Sequence, residues 1–176
     1  MSLSVENVVT TAVLDSRLNL EAVEDALPAQ WSRGRRFRSL VCRLPRPRVT
    51  LLIFEAGKVV CTGAKSEAEA FSVINSFFEA VKARGLRVGE AKVSVQNVVV
   101  SSQLGFEVDL EKASKNLGGV YEPERFPGLI MKREGASILV FSNGRVVCAG
   151  AKSAEKAYRL IGEVGSKLSS LPHEPA

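Results

Sequence analysis

Histidine is all but missing from this chain: there is one in 176 residues, His173, close to the end. Cysteine is nearly as scarce, and Cys42, Cys61 and Cys148 are far apart and odd in number. No zinc-ligand spacing and no disulfide framework can be assembled from such a set. No metal site is therefore expected. No apolar run reaches the length that spans a bilayer, and no secretory signal pattern opens the chain. The expectation is an intracellular protein without membrane contact. Also wanting are a nucleophile–base set and a glycine-rich phosphate cradle, and the carboxylates mostly sit near helix starts or on helix faces. An enzyme is thus the least favoured class, with no catalytic residue and no cofactor expected.

Basic residues, by contrast, are in excess: 24 Lys and Arg against 19 Asp and Glu, a net charge of +5. That favours an anionic partner without naming one, the plainer reading being a solvated basic surface. The length suits about one domain. A chain of this size buries roughly 70% of the surface its unfolded form exposes and needs no covalent staples.

The strongest feature is a stretch that occurs twice. Residues 51–66 read LLIFEAGKVVCTGAKS and residues 138–153 read ILVFSNGRVVCAGAKS; from Phe54 and Phe141 onward, nine of thirteen positions are identical. Each copy runs from an apolar segment through a Gly-centred turn into a short Val-rich segment, which is the pattern of a β-hairpin. Ser66 and Ser153 then open helices as N-caps. The duplication extends outward. Val5-Glu6-Asn7-Val8-Val9 corresponds to Val95-Gln96-Asn97-Val98-Val99, and the Phe37 segment corresponds to the Phe126 segment. The offset falls from 90 to 87 residues along the chain. So long a period is not that of a solenoid, for which roughly 20–50 residues is usual. It marks two half-domains, 1–88 and 89–170, followed by a tail at 171–176 expected to be disordered.

Taken in order, residues 5–12 read as a strand and 19–27 as a short helix capped by Asn19 and stopped by Pro28. Four short strands follow to residue 63, around Trp31, Leu40–Leu44, Val49–Phe54 and Lys58–Thr62. Ser66-x-x-Glu69 is a capping box, and Ala70, Ile74, Phe77, Phe78 and Val81 form the apolar stripe of a helix over 66–84. The second half repeats this β-α-β-β-β-β-α order. One oddity stands out. A sheet with helices on one face should alternate apolar with polar, yet Leu52 and Phe54 oppose Leu51 and Ile53, and both faces are apolar. Two helices per half cover one face. The other is left open, as a binding surface or as the seam of a weak homodimer.

Val120-Tyr-Glu-Pro-Glu-Arg-Phe-Pro-Gly128, the two Gly-Ala-Lys-Ser hairpins and the two Val-x-Asn-Val-Val openings resemble the TATA-box-binding protein family over about residues 3–168. The lack of a long N-terminal extension resembles its archaeal members, implying a cytoplasmic or nucleoid location; a eukaryotic source would imply the nucleus. The resemblance implies an α+β fold, a saddle of ten antiparallel strands in one sheet, with four helices on the convex side and DNA under the concave side. It implies promoter DNA as ligand, with transcription factor B and, through the preinitiation complex, RNA polymerase as partners.

The minor groove shows A·T and T·A almost alike, while G·C adds one amino group. A reader of A·T pairs therefore needs an apolar floor with a few donors. By resemblance, Asn7 and Asn97 supply the donors, and Val9, Leu52, Val60, Thr62, Val99, Leu139, Val147 and Ala149 the floor. Phe37 with Phe54, and Phe126 with Phe141, are the expected wedges between base steps, while Phe71, Phe77, Phe78 and Phe106 suit a core. Unstacking costs about a few kcal/mol per step and is offset by contacts that bending permits, and this family is itself the standard example of it. Arg36, Arg43, Lys58, Arg125, Lys132 and Arg145 are the expected phosphate contacts, with Arg33, Arg35 and Arg38 nearby in the basic first loop. Glu122 and Glu124 would dock transcription factor B. The chain departs from the family in that first loop, at Ala149 where Thr is usual, and in two residues and a Pro missing near Glu134–Ala136. Those departures keep open a specialised paralogue that binds proteins as an adaptor; retention of the four wedge Phe and both Asn argues against it.

Overall fold

The computed structural model describes residues 2–26, 31–33 and 38–172. Phe37, Arg35 and Arg36 lie outside the described residues. The elements run β1 (Ser2–Leu14), α1 (Leu20–Ala26), β2 (Trp31–Arg33), β3 (Ser39–Pro45), β4 (Arg48–Phe54), β5 (Lys58–Ala64) and α2 (Glu67–Ala83). The second repeat gives β6 (Ala91–Gln103), α3 (Leu110–Leu117), β7 (Leu129–Arg133), β8 (Ala136–Val140), β9 (Arg145–Ala151) and α4 (Ala154–Ser169). The class is α+β with antiparallel pairing and four helices, as expected.

The helix starts follow from their caps. Asn19 Oδ1 accepts from the Ala22 N–H at 3.0 Å, and Ser66 Oγ from the Glu69 N–H at 3.0 Å. Glu69 reaches back, but to the Lys65 N–H at 3.2 Å rather than to that of Ser66. Asp109 and Ser153 cap α3 and α4 in the same way, at 3.0 and 3.1 Å.

The chain forms two compact units. One is Asn7–Gln96, with strand order β2-β3-β4-β5-β1 and the first residues of β6 beyond. The other joins Met1–Glu6 to Asn97–Ala176, with the start of β1 followed by β6-β9-β8-β7. The unit boundaries therefore cut through β1 and β6 rather than falling in the connection between the repeats.

The expected ten strands are nine among the described residues. In the first repeat β2 makes three rungs with β3, from Trp31↔Cys42 to Arg33↔Leu40. Its counterpart in the second repeat is a single bridge, Val120↔Ile130. The chain cannot extend it. Glu122 C=O accepts from the Arg125 and Phe126 N–H groups at 2.9 and 3.0 Å, which curls the backbone into a turn, and Pro123 has no N–H to give. The two residues missing from the second repeat are not lost from the turn. Both hairpins have two-residue turns, at Arg46-Pro47 and Glu134-Gly135; from the equivalent pairs Leu40↔Ile53 and Leu129↔Val140 to the turn, β3 and β4 make six rungs and β7 and β8 five, and one rung is two residues. Glu134 and Gly135 take positive φ (49° and 83°), the twist that a two-residue hairpin favours.

The nine described strands belong to one sheet, and in each unit one face of it is packed shut. Leu40, Cys42, Leu51, Ile53, Val59 and Cys61 in the first unit are buried under α2 and α1 with Ile74, Phe77, Phe78 and Val81. Leu129, Met131, Ile138, Val140, Val146 and Cys148 are buried in the second, with Leu160, Ile161 and Leu168 of α4. Each such side chain contributes about 1.5–3 kcal/mol. Phe71 and Phe106 are half-buried rather than core. Burial raises all three thiols, that of Cys61 to about 11, so none is a nucleophile at neutral pH.

Candidate nucleic-acid interface

In each unit the opposite face of the sheet is built in rows of directly paired residues. In the first unit one row is Val41–Leu52–Val60–Thr11, and beside it lies Arg43–Thr50–Thr62. In the second unit the equivalents are Ile130–Leu139–Val147–Ser101 and Lys132–Ser137–Ala149. Leu52, Val60, Thr62, Leu139, Val147 and Ala149 are all half-buried, whereas their neighbours on the shut face, such as Ile53 and Cys148, are at 0% exposure. Val9 and Val99 share this half-buried state. The structure thus groups the expected floor residues on one face in each unit. It adds Val41, Thr50, Ile130 and Ser137, which the sequence left unassigned; strict alternation along β3, β4, β7 and β8 would have found them.

The two asparagines owe their orientation to a bulge. The register between β1 and β5 slips between Val8 and Thr10, where Val8 pairs with Ala64 but Thr10 with Cys61. β5 therefore carries one extra residue, at Gly63, whose φ of 99° suits glycine. Its N–H finds no strand partner and donates to Asn7 Oδ1 at 2.7 Å. The same slip recurs between β6 and β9, and the Gly150 N–H donates to Asn97 Oδ1 at 2.6 Å. A backbone N–H can only donate, so the atom facing it must be the amide oxygen. Each NH2 is thereby held on the side away from that glycine N–H. Asn7 Nδ2 spends one hydrogen on Thr62 Oγ1 at 3.3 Å.

The wedge candidates are half seen. Phe126 and Phe141 meet edge to face, with ring centroids 5.8 Å apart, and both are half-buried. They sit on Gly128, where a Cβ would come within 2.9 Å of Phe126 Cε1 and 3.1 Å of Phe141 Cε1. In the first unit Phe54 is half-buried, opposite Ser39 and Lys58; its expected partner Phe37 is outside the described residues.

Of the expected phosphate contacts, Arg43, Lys58, Arg125, Lys132 and Arg145 are exposed. Arg43 and Lys132 end equivalent rows, and Lys58 and Arg145 stand on the same faces by strand parity. Lys132 Nζ donates to Ser137 Oγ, and Arg125 pairs with Glu122 at 3.4 Å. Arg38 is held by Glu55 at 3.0 Å and Glu21 at 3.3 Å, which removes it from the free cations. Glu122 and Glu124 are both exposed in the loop before Phe126. Among the described residues no group of His, Cys, Asp and Glu could hold a metal ion, and no helix is long and apolar enough to cross a membrane.

An antiparallel α+β fold built from two repeats, with one face of the sheet shut by helices in each unit and the other open, defines the class. The family model described as Transcription factor TFIID (or TATA-binding protein, TBP) matches residues 2–83 and 92–171, and the chain belongs to this family. A TATA-box-binding protein of Pyrodictium occultum is 39% identical over 172 residues, 96% of this chain and 86% of that relative. One from Methanococcus aeolicus is 38% identical over 175 residues, 98% and 97% of the two chains. The solved structure titled Methanococcus jannaschii TBP superposes with a TM-score of 0.85 at 35% identity, covering 97% of this chain and all of that one. The family consists of DNA-binding transcription factors and not enzymes, and the chain has a role of that kind in transcription.

Proposed function

We propose that this chain initiates transcription by binding the minor groove of A·T-rich promoter DNA of the TATA type and bending it. It then recruits transcription factor B and, through that complex, RNA polymerase. The observation that carries this reading is the braced asparagine. A half-exposed apolar floor would suit any flat hydrophobic partner, but Asn7 and Asn97, each fixed by a bulge N–H, turn amide donors out of it. Donors set in an apolar floor match the A N3 and T O2 acceptors of the minor groove. Each repeat, 1–88 and 89–170, serves one half of the site. Phe126 and Phe141 at one end of the DNA site, with Phe54 and Phe37 at the other, wedge base steps, and Arg36, Arg43, Lys58, Arg125, Lys132 and Arg145 take phosphates, which position the protein without reading sequence. Binding to a fluorescent TATA duplex, against the same duplex with its A·T pairs replaced by G·C, tests the reading. Tight binding to the first and loss on the second is expected; equal affinity for both would overturn it.

A further inference from the structure

The two repeats brace their asparagines alike but surround them differently. Beside Asn7 stands Thr62, whose hydroxyl accepts from Asn7 Nδ2 at 3.3 Å. At the equivalent place beside Asn97 stands Ala149, and among the described residues Asn97 Nδ2 has no protein partner. Ser137, the nearest hydroxyl in that row, lies one strand further out and is engaged by Lys132. A hydroxyl has one donor and two acceptor sites. After receiving Asn7, Thr62 keeps an acceptor site and its own proton. The first unit therefore offers both a donor and an acceptor at this position, while the second offers donors and a methyl group only.

That difference bears on a single atom of the DNA. In the minor groove a G·C pair differs from A·T by the guanine amino group, which is a donor. Thr62 can accept from it. Opposite Ala149 and Asn97 it meets a methyl group and two further donors, and stays unpaired in a desolvated interface.

Resting on the minor-groove reading above, we propose that positions 62 and 149 make the two halves of the site unequal in stringency. The repeat carrying Ala149 demands A·T, and the repeat carrying Thr62 tolerates one G·C pair. The protein then chooses its own direction on DNA by laying Thr62 over the half that holds the G·C pair.

A palindromic A·T duplex tests this without knowing the orientation in advance. One G·C pair at the critical step of either half should cost about 5-fold in affinity, because the protein turns to meet it with Thr62. A G·C pair in both halves forces one under Ala149, and the added cost should be about 30-fold, within the usual range for a mismatched pair. The double penalty thus exceeds the square of the single one. Inosine·C pairs, which lack the amino group, should abolish both penalties. Thr62→Ala should make single and double penalties multiply evenly at the higher cost, and Ala149→Thr or Ala149→Ser should make both cheap. Even multiplication in the parent protein, or penalties that survive with inosine, would overturn the inference alone. Failure of the parent to bind the A·T duplex at all would overturn it together with the reading on which it rests.

Discussion

Asn7→Asp separates what the side chain does for the fold from what it does for DNA. In the fold, Asn7 Oδ1 satisfies the N–H of Gly63 at 2.7 Å, and a carboxylate oxygen in the same place accepts that bond at least as well. Asn7→Ala leaves the N–H unpaired in a half-buried bulge, at about 1 kcal/mol. Towards DNA the ranking reverses. The aspartate loses the donor, worth about 1 kcal/mol, and sets an acceptor against acceptors, worth about 1–3 kcal/mol more. The sum, about 2–4 kcal/mol, is roughly a 30- to 1,000-fold loss of affinity. Thermal melting of both variants beside anisotropy titrations on a TATA duplex reads the two quantities apart. The aspartate variant should melt near the parent and bind far more weakly; the alanine variant should melt lower. Parental affinity in Asn7→Asp, or a melting loss equal to that of the alanine variant, would refute the braced-donor reading.

Other outcomes are as specific. Phe141→Ala should lower the DNA bend measured by fluorescence transfer while leaving A·T selectivity in place, and an unchanged bend would remove the wedge role. Gly128→Ala should push Phe126 and Phe141 off their seat, since its Cβ would lie 2.9 Å from one ring, 3.1 Å from the other and 3.1 Å from the Val140 carbonyl oxygen; the bend should fall and the melting temperature drop modestly, and a parental bend would show that the rings do not need that seat. Log affinity should fall against log salt with a slope near −5 if about six phosphates are neutralised, and a slope near zero would exclude this electrostatic contribution. Glu122→Arg with Glu124→Arg should leave binary DNA binding intact and weaken the ternary complex with transcription factor B in a gel-shift titration, because both carboxylates are exposed and stand off the floor rows; an unaltered ternary complex would move the docking surface elsewhere.

Much is legible in the sequence itself. The duplicated hairpin, the capping residues and the side-chain period of two are local properties of the chain. They suffice to say that Leu52 and Phe54 face one way and Leu51 and Ile53 the other, which the burial of the two sets repeats. The family resemblance rested on the same local motifs. Tertiary structure decided what depends on register between distant strands. Asn7 and Gly63 are 56 residues apart, and no pattern around either shows that the bulge N–H will hold the amide by its oxygen. A hairpin one rung shorter in the second repeat, the reduction of the tenth strand to one bridge at Val120, and Gly128 beneath two rings are of the same kind. Alternation fixes which face a side chain takes, because that is set by its own backbone. Which atom it meets there is set by the hydrogen-bond ladder to another strand, and a ladder can slip by one residue without changing the composition of either.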